Sequence, residues 1–109
     1  MASYSELSPA ELAAKLEAGQ ELVLLDVREP EELELCALRP NVHVPLGELA
    51  ARVDELDPDR VTVCICHHGI RSARAAGFLV ARHEFAEVYN LSGGIDRWAA
   101  ELDPGMRRY

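Results

Sequence analysis

Two short apolar runs constrain the fold of this chain more than any other feature. Residues 22–25 and 61–65 are apolar or β-branched at every position, without the alternation expected of a strand that has one face in water. Unbroken runs of this kind are typical of strands buried on both faces, as in parallel sheets covered by helices. Helical patterns and turn signals separate the runs, and the chain contains no internal repeat. The sequence therefore predicts a single α/β unit.

Length and charge limit the classes of function. At 109 residues the chain has the size of one compact domain. We expect that domain to occupy residues 1–109, with a short polar tail at the carboxyl end. Hydrophobic residues make up 49% and charged residues 28%, so the chain should fold without a partner. The formal net charge of −8 disfavours binding to nucleic acid or to an anionic membrane surface.

The sequence also suggests where the protein works. No apolar run approaches the roughly 20 residues needed to cross a bilayer. Residues 1–6 lack the basic and apolar regions of a secretory signal. The cysteines are Cys36, Cys64 and Cys66, an odd number that does not suit a disulfide scaffold. We therefore expect a cytoplasmic protein with no membrane partner.

Strand and helix patterns alternate along the chain. Ser8 and Glu11 have the spacing of a capping box around Pro9, which predicts the start of a helix, and Gly19 predicts its end. The β-branched run over residues 61–65 is expected to be the central strand. The other predicted strands cover residues 21–27, 42–44 and 87–91, and the other predicted helices cover residues 29–35, 46–53, 72–82 and 95–102.

The segment after the predicted central strand carries the strongest chemical signal. Residues 66–71 join the strand to the amino end of a helix, where several unpaired backbone N–H groups attract anions. These amides, the helix dipole and the guanidinium of Arg71 would together favour a thiolate on Cys66. No acidic residue occurs from residue 66 to residue 83, although the chain as a whole is acidic. Cys66 is therefore the predicted nucleophile, and Gly69 lets the backbone turn sharply.

Other candidate residues have simpler interpretations. Cys64 lies inside the strand and is expected to pack in the core, as is Trp98 on the closing helix. Cys36 has few basic residues near it in the sequence, which disfavours a redox role. Asp26 and Arg28 are either supports near the loop or an ordinary ion pair. No second cysteine or histidine pair lies elsewhere in the chain, so we expect no metal site.

Four ordered segments of the sequence carry a family resemblance. They are Asp26-Val27-Arg28-Glu29-Pro30-Glu31-Glu32, Val44-Pro45-Leu46-Gly47-Glu48-Leu49, Cys66-His67-His68-Gly69-Ile70-Arg71-Ser72-Ala73 and Leu91-Ser92-Gly93-Gly94-Ile95-Asp96-Arg97-Trp98. In this order they resemble the single-domain rhodanese-like sulfurtransferases over about residues 7–102. The resemblance implies a five-stranded parallel sheet flanked by helices on both faces. It also implies a cysteine that accepts a sulfane sulfur as a persulfide and passes it on.

The resemblance assigns roles to residues of the loop and its surroundings. Cys66 is the expected catalytic residue. The residues expected to form the loop that binds the substrate or anion are His67, His68, Gly69, Ile70 and Arg71. The residues expected to support that loop are Asp26, Arg28 and Ser72. The implied donor is a small sulfur-containing anion or a protein persulfide, the acceptor is a thiol or cyanide, and no cofactor is implied.

One segment departs from the family pattern. Many members carry a Gly-His-Ile-Pro-Gly-Ala-like stretch after the first strand, where this chain has Cys36-Ala37-Leu38-Arg39-Pro40-Asn41-Val42. The usual histidine is missing, which removes one polar group near the site. Because residues 66–71 are unaffected, we expect the sulfur-transfer chemistry to be retained.

The length of the loop separates related chemistries. Dual-specificity phosphatases and arsenate reductases of similar build place their arginine after five intervening residues, whereas four residues separate Cys66 from Arg71 here. A shorter loop makes a smaller cradle, which suits a sulfur atom better than a tetrahedral oxyanion. Sulfur transfer is therefore the favoured function. Two alternatives stay open: a sulfur-carrier or regulatory module of the same fold without turnover and, less favoured, a phosphatase or arsenate reductase.

Overall fold

Five parallel strands and five helices make up the structure. The computed structural model describes residues 3–109; Met1 and Ala2, part of the amino-terminal stretch considered above, lie outside the described residues. The strands are β1 (Ser5–Leu7), β2 (Val23–Asp26), β3 (Val42–His43), β4 (Thr62–Ile65) and β5 (Val88–Leu91). The helices are α1 (Pro9–Glu17), α2 (Pro30–Leu35), α3 (Leu49–Arg52), α4 (Ile70–His83) and α5 (Gly94–Leu102). Within residues 3–109, no helix is long and apolar enough to cross a membrane.

The strand predicted to be central lies in the middle of the sheet. The strand order is β1-β5-β4-β2-β3, and every neighbouring pair is parallel. Thr62 lies opposite both Val23 of β2 and Val88 of β5. All four residues of β4 are buried. The predicted α/β fold with a five-stranded parallel sheet is therefore confirmed.

The apolar runs supply two cores, one on each face of the sheet. Successive side chains of a strand point to opposite faces of the sheet, so adjacent residues of one run enter different cores. Leu25 of β2 joins a cluster that contains Leu79 of α4. Leu24, the residue before it, joins a second cluster that contains Leu12 of α1 and Ile95 of α5. Helices cover both faces, which explains why the runs do not alternate with polar residues.

The first helix begins as its capping residues predict. The Oγ atom of Ser8 accepts a hydrogen bond from the Glu11 amide at 3.1 Å, and the carboxylate of Glu11 accepts one from the Ser8 amide at 2.8 Å. Pro9 occupies the first helical position. The helix ends before Gly19, whose φ is +76°. This local sequence signal was sufficient because capping involves only residues within one turn.

Two elements differ from the sequence prediction. β1 was not predicted, because it has only three residues, two of them exposed, and pairs with a single neighbour at the sheet edge. The helix predicted over residues 46–53 is instead a 3₁₀ turn (Leu46–Glu48), the single turn of α3 and a second 3₁₀ turn (Val53–Glu55). The Leu46 amide donates to the Val27 carbonyl at 2.9 Å, which holds the start of this segment against the residue that follows β2.

Gly94, the first residue of α5, lets this helix lie directly against the segment after β4. The amides of Ile95 and Asp96 donate to the carbonyls of Cys66 and His67 at 2.9 and 3.1 Å. A Cβ atom on Gly94 would overlap the His67 carbonyl and lie 2.5 Å from the Cys66 carbonyl oxygen, and the φ of Gly94 is +64°. Both the contact and the backbone conformation therefore require glycine.

We predict that Gly94→Ala lowers the free energy of unfolding by about 2 kcal/mol or more, because it combines backbone strain with overlap against main-chain atoms. Urea unfolding followed by circular dichroism measures the loss. Gly19→Ala is the matched control, because Gly19 has a similar φ of +76° but open space around the added methyl. We expect it to cost only about 1 kcal/mol, the price of a left-handed alanine. Equal losses at the two positions would contradict a role for the close contact.

Candidate active site

Cys66 lies in the short connection between β4 and α4. β4 ends at Ile65 and α4 begins at Ile70, so Cys66 sits at the carboxyl edge of the sheet. Gly69 precedes the helix with a φ of +95°, a conformation that glycine adopts without strain. This turn directs the first amides of α4 back toward Cys66.

Two amides and one hydroxyl surround the sulfur of Cys66. The Sγ atom accepts hydrogen bonds from the Gly69 amide at 3.1 Å and the Ser72 amide at 3.3 Å. The Ser72 hydroxyl lies 3.2 Å from the same sulfur. Cys66 is only 1% exposed, so bulk water screens these interactions weakly. A negative charge on Sγ would therefore be stabilised by oriented N–H groups and by the amino end of α4.

Ser72, predicted to support the loop, contacts the sulfur itself and also connects it to β5. Its Oγ atom lies 2.5 Å from Oδ1 of Asn90, and the Nδ2 atom of Asn90 donates to the Gly69 carbonyl at 3.1 Å. Ser72 and Asn90 are buried. The Asn90 amide thus contacts two of the residues that hold the sulfur.

Arg71 pairs with Glu32 of α2. Its two terminal nitrogens donate to the two carboxylate oxygens of Glu32 at 2.6 and 2.9 Å. These hydrogen bonds lower the pKa of Glu32 from its usual 4.5 to about 2, against the opposing effect of burial. They also raise the pKa of Arg71. The positive charge expected beside Cys66 is therefore largely balanced by a carboxylate, and the Arg71 side chain is 34% exposed at the edge of the loop.

Asp26 and Arg28 form a buried ion pair that organises the far side of the site. Nε and Nη2 of Arg28 donate to the Asp26 carboxylate at distances from 2.7 to 3.1 Å. Nη2 also donates to the Cys36 carbonyl, and Nη1 donates to the Glu32 carbonyl at 3.3 Å and to the Tyr109 hydroxyl at 2.9 Å. Burial opposes the charge of Arg28, but the hydrogen bonds to Asp26 raise its pKa overall. This pair fixes the chain around α2 and hence the position of Glu32.

The remaining loop side chains contact other groups or are exposed to solvent. The rings of His67 and Tyr109 stack with centroids 3.8 Å apart, and the Nε2 atom of His67 is buried without a hydrogen-bond partner among the described residues. Burial, followed by the nearby His68, lowers the pKa of His67. His68 is exposed, with Nδ1 3.9 Å from the Asp96 carboxylate. Ile70 is 68% exposed, the largest exposed fraction among the big apolar side chains described.

The other two cysteines lie away from the amides of Gly69 and Ser72. Cys64 is buried in the core, and burial raises the pKa of its thiol to about 12. Cys36 is partly buried and packs against the cluster on the α1 and α5 face. No group of three potential metal-ligating side chains occurs within residues 3–109. Of the three thiols, Cys66 is the one that oriented amides surround.

Comparison with known proteins agrees with this geometry. The family model described as a rhodanese-like domain matches residues 8–101. YtwF of Bacillus subtilis, named a sulfurtransferase, is 35% identical over 99 residues, which cover 91% of this chain and 94% of YtwF. The thiosulfate sulfurtransferase GlpE of Pseudomonas syringae is 34% identical, with 90% of each chain covered. A rhodanese-related protein from Thermoplasma volcanium has a similar structure, with a TM-score of 0.78, 32% identity and coverage of 91% and 94% of the two chains.

The family match spans most of the sequence and includes both the sheet and the loop around Cys66. This chain therefore belongs to the rhodanese-like domain family. The structural match to the Thermoplasma volcanium protein agrees with the fold that the resemblance implies.

Sequence reasoning missed three residues that contact the site. Asn90 and Glu32 lie on elements distant in sequence, and Tyr109 belongs to the carboxyl-terminal segment that was predicted to be a polar tail. Its hydroxyl instead donates to the Glu32 carboxylate at 2.7 Å. A weak signal existed for Asn90, because an asparagine is unusual inside an otherwise apolar buried strand. Nothing in the sequence pattern distinguished Glu32 from its acidic neighbours.

We predict that Glu32→Gln lowers stability in a pH-dependent way. Because the folded-state pKa of Glu32 is below its usual value, the Arg71 pair stabilises the fold fully above pH 4.5, and this contribution disappears as the pH falls toward about 2. The difference in free energy of unfolding between wild type and Glu32→Gln should therefore be largest near neutral pH and shrink across that acidic interval. Urea unfolding at a series of pH values measures it.

Glu55→Gln is the matched control for this prediction. Glu55 also pairs with an arginine, Arg52, at 3.0 Å, but its side chain is 54% exposed, and solvent screens the pair. We expect a much smaller loss of stability than for Glu32→Gln. A pH-independent difference for Glu32→Gln would show that the ionic form of Glu32 contributes little.

Proposed function

We propose that this protein is a sulfurtransferase that moves a sulfane sulfur from thiosulfate or a persulfide donor to a thiol, cyanide or protein acceptor through a persulfide on Cys66. The observation that carries the proposal is the position of Sγ, which accepts hydrogen bonds from the Gly69 and Ser72 amides. The same donors suit a thiolate before transfer and the regenerated thiolate after it. Membership of the rhodanese-like family supports this chemistry.

In the first half-reaction, the Cys66 thiolate attacks the outer sulfur of the donor. A bond forms between Sγ and that sulfur, while the bond from the sulfur to the rest of the donor breaks. With thiosulfate, the electron pair leaves with sulfite, and the product is a Cys66 persulfide anion. The reaction is a nucleophilic displacement at sulfur, which requires a thiolate and a good leaving group but no cofactor.

In the second half-reaction, an acceptor attacks the outer sulfur of the persulfide. With cyanide, the new carbon–sulfur bond produces thiocyanate, and the electron pair of the broken S–S bond returns to Sγ. With a thiolate acceptor, the product is a persulfide on the acceptor. In both cases the leaving group is the Cys66 thiolate, which the Gly69 and Ser72 amides stabilise.

Arg71 contributes to donor binding less through a free positive charge than through its position at the edge of the loop. Because its guanidinium forms a bidentate pair with Glu32, an anionic donor meets a nearly neutral pair at the edge of the loop. The amides around Sγ therefore supply most of the attraction for the transferred sulfur. The four-residue separation between Cys66 and Arg71 also favours sulfur over a tetrahedral phosphate or arsenate.

We predict that incubation with thiosulfate adds one sulfur atom to Cys66 and none to Cys36 or Cys64. Cys64 should remain unmodified because it lies inside β4 and burial raises the pKa of its thiol to about 12. Mass spectrometry of the intact protein, followed by peptide mapping, measures the addition. Cys66→Ser is the control and should gain no sulfur. Sulfur addition at Cys36 alone would reject Cys66 as the acceptor of the first half-reaction.

We further predict thiocyanate formation from thiosulfate and cyanide, with a loss of roughly 10³-fold or more in Cys66→Ser, because the nucleophile is removed. A phosphate ester assayed in parallel should not be hydrolysed. A persulfide that forms but does not turn over would instead indicate a sulfur-carrier module. Phosphate release lost in Cys66→Ser would identify a phosphatase.

A further inference from the structure

The hydroxyl of Ser72 faces two acceptors but carries one proton. Its Oγ atom lies 2.5 Å from Oδ1 of Asn90 and 3.2 Å from Sγ of Cys66. A serine hydroxyl can donate only one full hydrogen bond at a time. Ser72 and Asn90 are 0% and 3% exposed, so water is not a ready substitute for either partner. The two acceptors therefore compete for the same proton.

The orientation of the Asn90 amide is fixed by its other contacts. Nδ2 of Asn90 donates to the Glu6 carboxylate at 3.1 and 3.2 Å and to the Gly69 carbonyl at 3.1 Å. Both groups only accept hydrogen bonds, so the nitrogen of the amide must face them. Oδ1 is thereby directed at Ser72, where it requires the hydroxyl proton.

We propose that Asn90 is a positioning residue that controls the protonation state of Cys66 through the Ser72 hydroxyl. While the Cys66 sulfur is a thiol, the hydroxyl donates to Asn90, and its lone pairs can accept the S–H proton. When the sulfur becomes a thiolate, the hydroxyl rotates to donate to Sγ, and Oδ1 of Asn90 loses its donor. Ionisation of Cys66 therefore carries the cost of leaving a buried carbonyl oxygen unpaired.

This arrangement has a consequence for each half-reaction, and that consequence rests on the proposed sulfur-transfer function. In the persulfide state the inner sulfur has no charge, so the hydroxyl donates to Asn90. When the acceptor removes the outer sulfur, Sγ becomes the anionic leaving group, and the hydroxyl turns toward it. The hydroxyl proton stays bound to Oγ throughout, so no proton is gained or lost in the rotation.

Several other titratable or charged groups lie on the elements around Cys66, and the Asn90 and Ser72 variants leave all of them in place. Asp26 and Glu32 already pair with arginines, which limits the effect of these two ion pairs on the sulfur. The titratable and charged groups on the surrounding elements are Glu6 of β1, Asp26 of β2 with Arg28, Glu32 of α2 with Arg71, Cys64 of β4, His67 and His68 of the loop, Asp96 of α5 and Tyr109.

The test is the pH midpoint at which iodoacetamide alkylates Cys66, measured in a Cys36→Ser background so that the only other thiol is Cys64, which lies inside β4. Asn90→Ala removes the competing acceptor and should lower the midpoint by about 0.5 to 1 pH unit, a threefold to tenfold change in the thiolate equilibrium. Ser72→Ala removes the hydroxyl that serves the thiolate and should raise the midpoint by a similar amount.

The double variant Ser72→Ala/Asn90→Ala distinguishes this role from a structural one. If Asn90 acts through the hydroxyl, its replacement has no further effect once the hydroxyl is absent, and the double variant has the midpoint of Ser72→Ala. A shift of equal size in both backgrounds would show that Asn90 acts through its bond to Gly69, and would overturn the proposal. A lower midpoint in Ser72→Ala, or a higher one in Asn90→Ala, would do the same.

Two further variants are used in this test, one as a control and one as a substitute for Asn90→Ala. Glu6→Gln changes the charge on the Nδ2 side of Asn90 and leaves Oδ1 in place, so its midpoint should remain close to that of wild type. Asn90→Leu, nearly isosteric with asparagine, replaces the alanine variant if the cavity prevents folding. Alkylation involves no sulfur donor. A failure of thiosulfate to load Cys66 would therefore reject the proposed function, whereas the midpoints alone decide the role of Asn90.

Discussion

The hydrogen bonds between the amino end of α5 and the carbonyls of Cys66 and His67 are the contact on which the site depends. They hold the two peptide groups that follow the cysteine while the amides of Gly69 and Ser72 face its sulfur. Two helix amino ends thus act on one short loop, one binding its carbonyl oxygen atoms and the other facing the Cys66 sulfur. The lack of a side chain at Gly94 permits this approach. A loop fixed in this way requires little rearrangement when charge develops on the sulfur.

Charge around the site is arranged in pairs. Arg71 pairs with Glu32, and Arg28 pairs with Asp26, while Tyr109 bridges the two pairs through its hydroxyl. Arg71, part of the basic stretch that stands out in the sequence, is therefore neutralised by an acidic residue of α2. What remains close to the sulfur is a set of oriented dipoles. Dipoles of this kind favour an anion without adding a mobile counter-charge that could compete with the substrate.

The candidate site could be predicted in part. Cys66 and Gly69 were recognisable because their positions follow from local order: a strand, a tight turn and a helix in sequence. Ser72 was expected near the site, but its contact with the sulfur depends on the first turn of α4 folding back over Cys66. Asn90 was missed, because a residue 24 positions away is brought to the loop only by the parallel pairing of β4 with β5.

The sequence by itself determined the α/β class, the central strand and the start of α1, and it singled out Cys66 as the candidate nucleophile. Each of these follows from hydrophobic pattern or capping chemistry within a few residues. Tertiary structure decided which carboxylate neutralises Arg71, which strand edge accepts β1 and which buried amide faces Ser72. Those choices depend on distances between segments far apart in the chain. Such distances are set by how the sheet and its helices pack, so they cannot be predicted from the local sequence pattern.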